Sequence, residues 1–595
     1  MSRILKLDSL REPCFLQYVD SVSTSWRLYR EPTRFWRVFD PALLSETLDE
    51  IFAVAEEANP STAVAGWIAY EAAPYLSADR GGAPEGREGV ASGRAAERPL
   101  LEFAQFSRLS FHEYLEPPGA LTINPTGQEW DRETYLSKFE IVKKHLSEGR
   151  NYQTNLTFAT TFETDHDAAE LFSAWCGVTP PPFATLCRLG TDIVSLSPEL
   201  FFAQNGPITR CRPMKGTAPA GSDPELLRSD PKTRAENLMI TDMVRNDLHS
   251  LGGVVQMECD LFQVEEHRTV LQMTSKVTCT HNSALPETFK ALFPAASVTG
   301  APKAETLRII SELEDSPRGV YCGALGVLWK GRARFSVPIR TADKMEGSRW
   351  RYRVGSGIVW DSEGDREYDE CLLKAEVIRT PAEGFGLIET LCVKNGQVAL
   401  LEGHAHRLGR GCESFGLEFD VQKLAAAIQR PNDGVYRLVV WGNNEITVEK
   451  KSATPEVVRV PKVPRTIGTH PLHWIGEKTT DRRAYGSGEE VLWCSTGYEW
   501  IKRDGSPATE MSEPRLLEFT TGSLVVQLDG DLYTPPMLFG EHVQTLQLLP
   551  GVARAHWLAT GKLKERVLTL ADLDRAEAVF HLNAARGLRP VEFVD

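Results

Sequence analysis

Between residues 192 and 211 the chain alternates apolar and polar positions in short bursts. "DIVSLS" (192–197), "ELFFAQ" (199–204) and "PITRC" (207–211) are rich in Ile, Val and Phe, with Asn205-Gly206 between the last two. That pattern predicts half-buried strands and a tight hairpin. The period then changes. In "DPKTRAENLMITDMVRNDLHSLGG" (230–253), Leu238, Met239, Met243 and Leu248 recur at helical spacing. Asp230 can cap that helix, Pro231 suits its first position, and Gly252-Gly253 stops it. "REYDECLLKAEVI" (366–378) predicts a second helix, with Glu370 and Lys374 spaced i,i+4. Further on, "YRLVVW" (436–441) and "EEVLWCSTGY" (489–498) read as strands and "DLDRAEAVF" (572–580) as a short helix. The pattern breaks twice. "ADRGGAPEGREGVASGRAAERP" (78–99) lacks large apolar residues and reads as a surface loop. "RTPAEGFG" (379–386) marks a domain boundary, giving domains at 1–378 and 383–595.

Composition narrows the classes. A chain of 595 residues is too long for one domain. A net charge of −15 argues against nucleic acid or an anionic membrane as main partner. No apolar run approaches a membrane span, and the N-terminus lacks the apolar core of a signal peptide. The 11 cysteines are scattered without a C-x-x-C pair, which fits reduced thiols in a cytoplasm rather than disulfides or zinc.

Four features could carry chemistry. Lys215 stands in "CRPMKGTAPAG" (211–221), near the end of a half-buried segment. Its plain reading is a solvated edge-strand lysine. Glu236 opens one helix, and Glu367 and Glu370 lie one turn apart on another. These carboxylates could be solvated, or could hold Mg²⁺, which takes oxygen ligands and keeps waters for a substrate. "VGSGIVWDS" (354–362) reads as a glycine-rich turn able to cradle an anion, and "SVTGAPKAE" (297–305) as a second one.

Together and in order, "NYQTNL", "SPELFF", "RPMKGT", "RAENLMITDMVRNDL", "SVTGAPKAE", "YCGALG", "PIRTA", "GSGIVWDS" and "EYDECLLKAE" resemble the chorismate-utilising enzymes over about residues 130–377. The resemblance implies a large α+β fold, antiparallel sheets with flanking helices around one active site. Lysine at 215, where anthranilate and isochorismate synthases carry alanine, points to the aminodeoxychorismate synthase branch. It implies Lys215 as covalent nucleophile and Glu199 as general acid. It implies Glu236 and Glu370, with Glu367 close by, as Mg²⁺ ligands. Thr299, Arg340, Gly355, Ser356 and Gly357 would bind substrate. A nucleophilic lysine must be neutral, which calls for burial or a neighbouring cation. Gln272 replaces the histidine thought to assist pyruvate elimination in anthranilate synthases, and glutamine does no acid–base work at neutral pH. No G-x-C-x-G glutaminase nucleophile occurs. Ammonia would come from a separate glutaminase subunit or from free ammonium.

"GLIETLCVKNGQVALLEGHAHRLGRGCESFGL", "EKTTDRRAY", "ATEMSEPRLLEF", "YTPP", "LLPGVAR" and "NAARGLRPV" resemble fold-type IV pyridoxal-phosphate enzymes. That implies an α/β domain in which Lys478 bonds covalently to the cofactor and Glu510 pairs with its pyridine nitrogen. Arg407 and the N–H groups of Gly551 and Val552 would hold its phosphate. The sequence departs from the group at Ala553, at Asn583-Ala584, and after Glu510, where an asparagine is missing. Aminodeoxychorismate lyases have the closest architecture. The expectation is a fused, cytoplasmic enzyme that aminates chorismate and then eliminates pyruvate to give p-aminobenzoate for folate. The rivals are a class IV aminotransferase of other specificity and a non-catalytic docking domain. Homodimerisation through the C-terminal domain is an option it carries.

Overall fold

The computed structural model describes residues 4–19, 25–76, 98–112, 114–116, 121–176, 180–219, 223–257, 261–266, 270–378, 386–415, 432–441, 446–451, 457–461, 465–466, 492–495, 515–519, 521–536 and 551–594. Two short stretches aside, the chain divides into one compact unit ending at Glu383 and another beginning at Gly384. Most of 78–99 and all of 379–385 lie outside the described residues. No helix among the described residues is long and apolar enough to cross a membrane.

The first unit mixes helices and sheets. Most of its strands join one closed network of antiparallel pairs. Ser25–Val38 pairs with Cys14–Val19 and Leu101–His112, and Val64–Ile68 with Leu101–His112 and Ala324–Trp329. The expected hairpin is present. Leu200–Asn205 pairs with Ile208–Arg212, and Gly206 takes a positive φ of 57° in the turn. Lys215 and its surroundings lie on β1 (Gln153–Glu163), β2 (Met214–Pro219), α1 (Pro231–His249), β3 (Gln263–Glu266), β4 (Val270–Thr274), β5 (Arg349–Ile358) and α2 (Gly364–Lys374). β1 and β5 form a long antiparallel ladder inside the closed network. β2, β4 and β3 form a separate antiparallel sheet with β4 in the middle.

Helix α1 starts as expected, with the Asp230 side chain accepting from the Thr233 N–H at 2.7 Å. Its buried face differs from the expected one. Asn237, Ile240, Thr241, Asp247 and Leu248 face inward, while Leu238 is 45% exposed. The stripe has the same period but is rotated, because three of its five members are polar and bonded inward. An apolar-only count cannot see such a stripe. "GSGIVWDS" differs too. Residues 355–357 lie within β5, not in a turn, and pair with Asn155–Thr157 of β1. On α2, Tyr368 and Cys371 are buried in the cluster formed by Tyr135, Phe158, Trp350 and Tyr352.

In the second unit, β6 (Gly386–Lys394) pairs antiparallel with Gly434–Trp441, which pairs with Ile446–Lys450. Helix α3 (Leu401–Phe415) packs its Leu408 and Cys412 into the apolar cluster of that sheet. A second, mixed sheet contains Gly522–Leu528, Ala578–Asn583 and Gly587–Val594, and α4 (Val552–Ala559) shares a cluster with it. The helix expected over 572–580 is shorter. It spans Leu570–Asp574, and Ala578–Val579–Phe580 enters a strand. Val579 faces Val526 across the sheet, a pairing that suits β-branched side chains better than a helix would. Within "EEVLWCSTGY", Leu492–Ser495 is a strand and the flanking residues lie outside the described ones.

Candidate active site

Lys215 sits in a defect of the small sheet. Met214 faces Thr274 and Thr217 faces Gln272, so β2 spends three residues where β4 spends two. Lys215 and Gly216 form the resulting bulge, a device that re-aims a side chain. Gly216 has φ +101°, a region that side-chain-bearing residues rarely adopt. A Cβ there would also lie 2.1 Å from Thr233 Cγ2 of α1. The bulge therefore needs glycine twice over.

The lysine so aimed meets three groups. Its Nζ lies 3.5 Å from Glu236 Oε2, with both side chains about three-quarters buried. A Cβ on Gly357 would lie 3.1 Å from that Nζ and 3.4 Å from Gln153 Nε2. The amine thus lies over bare backbone of β5, beside the Gln153 amide on β1. Gln153 is fully buried, and neither its oxygen nor its nitrogen has a partner among the described residues. An unmet buried polar group costs on the order of 1–3 kcal/mol, so an orphaned amide facing a lysine calls for a ligand. Gln153 stands within "NYQTNL", where the sequence alone assigns it no role. Its signal was a polar side chain within a buried strand.

Glu199 immediately precedes the first hairpin strand and is 4% exposed. Burial pushes its carboxyl up to about 7, against a smaller lowering from the Ser297 hydroxyl, which donates to Oε1 at 2.5 Å. Ser297, also missed from sequence, belongs to "SVTGAPKAE". The segment carrying Arg340 is tied to the same place: Val337 N–H donates to Glu199 O, and Leu196 N–H to Arg340 O. Arg340 is half-buried, and burial holds its pKa below the ordinary value. Among the described residues its guanidinium has no ion pair or hydrogen bond, which leaves a cation available to an anion.

Thr299 has partners within the protein. It is fully buried, its hydroxyl donates to Ala295 O at 3.0 Å, and Tyr70 Oη lies 3.5 Å away. Its side chain is spent within the protein. Ser356 likewise turns away from Gly357, with its hydroxyl 2.9 Å from Tyr135 Oη. Gly355 and Gly357 share the other face of β5. A Cβ on Gly355 would come within 2.5 Å of Thr157 Cγ2. Among the described residues Gln272 Oε1 is buried without a partner.

The carboxylates expected to hold magnesium, on α1 and α2, each meet a lysine. Glu236 reaches Lys215. Burial would raise the Glu370 pKa, but Lys374 at 2.7 Å, with Lys215 and Lys232 further off, holds it below the usual range. Lys374 is fixed in turn by donating to Gly355 O at 2.9 Å. Glu367, one turn earlier, adds to the negative field on Lys374. Two carboxylates influenced by one lysine form a hard oxygen donor set. Among the described residues no group of three or more His, Cys, Asp or Glu side chains could hold a metal. A magnesium ion on this pair would complete its shell with water and substrate.

In the second unit, Arg407 of α3 is 8% exposed and donates from Nε to Glu389 Oε1 at 2.7 Å. His404 Nδ1 lies 2.6 Å from Glu389 Oε2, and among the described residues His404 Nε2 is buried without a partner. A Cβ on Gly403 would lie 2.7 Å from Val552 Cγ1, so α3 crosses close to the start of α4. Gly551 caps α4 without a side-chain cap bond, leaving its first N–H groups for an anion. Arg407 is held by Glu389 at both Nε and its terminal nitrogen. Asn583 is spent locally, accepting from Arg586 N–H at 2.9 Å. Lys478 and Glu510 lie outside the described residues.

Comparison with known proteins followed this geometry. The chorismate binding enzyme family matches residues 29–380, and the class IV amino-transferase family matches residues 509–593. Aminodeoxychorismate synthase component 1 of Escherichia coli is 35% identical over 303 residues, 48% of this chain and 63% of that protein. An anthranilate synthase component 1 of Haloarcula marismortui is 33% identical over 259 residues, 42% of this chain and 53% of that protein. The chain thus spans between about half and two thirds of the length of these relatives. A crystal structure described as a 2,3-dihydroxybenzoate-specific isochorismate synthase from Bacillus anthracis superposes with a TM-score of 0.51 at 18% identity. It covers 62% of this chain and 97% of that one, and shows the shared fold alone.

Proposed function

Since the chain belongs to the chorismate binding enzymes, we propose that its first domain (1–378) replaces the C4 hydroxyl of chorismate by an amino group, and that its second (383–595) releases p-aminobenzoate. One observation carries the first half: the bulge that sets the Lys215 amine over Gly357, beside the unpartnered Gln153 amide. The relatives include anthranilate synthases and aminodeoxychorismate synthases at similar identity, so the choice rests on this lysine.

The reaction runs as two displacements. Lys215 Nζ forms a bond to C2 of chorismate, both conjugated ring double bonds shift, and the C4–O bond breaks. Glu199, still half protonated near pH 7, gives its proton to the departing hydroxyl, which leaves as water. Ammonia then bonds to C4, both double bonds shift back, and the C2–Nζ bond breaks. The net change is chorismate plus ammonia to 4-amino-4-deoxychorismate plus water. Arg340 would hold a substrate carboxylate. Glu236 and Glu370 would hold Mg²⁺, which supplies positive charge for another carboxylate. The ammonia would come from a separate glutaminase subunit or from free ammonium, and the product would feed folate synthesis in the cytoplasm.

The second step would take the C4-aminated product to p-aminobenzoate and pyruvate. Pyridoxal phosphate, when bound, supplies an electron sink for loss of a proton from C4. Arg407 and the Gly551–Val552 turn would hold its phosphate, Glu510 its ring nitrogen, and Lys478 would take up and return the proton. The test is purified protein given chorismate, ammonium, Mg²⁺ and pyridoxal phosphate, without a keto acid. p-Aminobenzoate and pyruvate in equal amounts are expected. Accumulation of the amino intermediate until a keto acid is added would overturn the second half.

A further inference from the structure

The bulge at Lys215 leaves a backbone account to settle. On the irregular stretch of β2 Lys215 has no register partner on β4, and Met273 of β4 has none on β2, though it pairs with Val264 of β3. One side chain bonds to both. Asn237 of α1 is 1% exposed, and its Nδ2 donates to Lys215 O at 3.1 Å and Met273 O at 3.2 Å. Both partners can only accept, so the nitrogen of this amide must face them. The other end is pinned as well. Ser275 Oγ donates to Asn237 Oδ1 at 2.6 Å and accepts from Phe262 N–H at 3.1 Å. Thr241 Oγ1 adds a bond to Asn237 O at 2.7 Å.

Helical spacing completes the arrangement. Thr233, Glu236 and Asn237 lie at i, i+3 and i+4 on one face of α1. Thr233 packs on Gly216, Glu236 meets the Lys215 amine, and Asn237 holds the Lys215 carbonyl. We propose that Asn237 is the positioning residue that sets the direction of Lys215, by bridging the Lys215 and Met273 carbonyls across the bulge. This rests on Lys215 being the nucleophile. It makes α1 a jig that grips one residue at its backbone and its amine.

The product ratio reads the lysine's position. When the amine does not occupy C2, ammonia can attack there and give the 2-amino isomer. Asn237→Ala should lower kcat for the 4-amino product about 100-fold, leave KM for chorismate within about threefold, and raise the share of 2-amino isomer. Asn237→Asp keeps the shape but puts an acceptor against two carbonyls, and should behave alike. Ile240→Val, on the same buried face without a bond to β2, should leave the ratio unchanged. A second measurement needs no turnover. The rate at which trinitrobenzenesulfonate modifies Lys215, read by peptide mass spectrometry against Lys138 and Lys290, should change severalfold in Asn237→Ala. If kcat, ratio and labelling rate all stay at wild-type values, the proposal is overturned. It is overturned equally if Ile240→Val shifts the ratio as much as Asn237→Ala. If wild-type protein makes no 4-amino product while Asn237→Ala still changes the Lys215 labelling rate, the nucleophile reading falls and the positioning of the amine stands.

Discussion

Without an amine at residue 215 the site should lose the C4-aminated product outright. Lys215→Ala is expected to abolish it, keep the melting temperature, and release some 2-amino isomer. Chromatography of the products checks this, and 4-amino product at the wild-type rate would end the covalent reading. Glu199 predicts a pH profile. Its carboxyl, lifted from 4.5 to about 7 by burial, keeps its proton below that pH and loses it above. Turnover of chorismate should fall as pH rises through about 7. Glu199→Gln should remove that limb while running about 100-fold slower or worse. The same shift contributes stability that is fully present below the unfolded value and is lost as pH rises through the folded one. Lys215, Glu199 and Arg340 were legible in the sequence because they stand in ordered motifs. Gln153, Ser297 and Asn237 were not singled out. What marks them is an orphaned amide, a short bond to a carboxyl, or a clamp on two carbonyls. Each depends on a neighbour far away in sequence.

At the scale of elements, the bulge between β2 and β4 concentrates the sensitivity. Gly216→Ala must hold alanine at φ +101° and press its Cβ on Thr233 Cγ2. A strain of about 1–3 kcal/mol is expected, seen as a lower thermal midpoint together with loss of amination. Adding Thr233→Ser removes the struck methyl and should recover part of the stability. An unaltered midpoint in the single variant would contradict the described backbone. Helix α1 shows what periodicity delivers and withholds. Its start was legible from Asp230 and Pro231. Its inward face was not, because polar Asn237, Thr241 and Asp247 share the stripe. "GSGIVWDS" misled for a related reason. Its glycines exist for close approach between β5 and its neighbours, while a glycine-rich string alone suggests a turn.

For the whole molecule, two chemistries on one chain should fail separately. Glu236→Gln or Glu370→Gln should lose Mg²⁺-dependent turnover of chorismate yet spare pyruvate release from supplied 4-amino-4-deoxychorismate; equal loss of both would argue against separate sites. Lys478→Ala should do the reverse, and should abolish a borohydride-sensitive visible absorbance of the purified protein. Wild-type protein that lacks this absorbance with excess pyridoxal phosphate, and still releases p-aminobenzoate, would remove Lys478 from the reaction. The closed strand network of the first unit has a consequence for how the protein is made. One edge of Val64–Ile68 finds its partner by residue 105, while the other must wait for Leu328. At ribosomal speeds that wait is on the order of 10–50 s. Throughout it the nascent chain carries an open, apolar strand edge, so yield in a cell should depend on chaperone supply and translation rate before it depends on any residue of the active site.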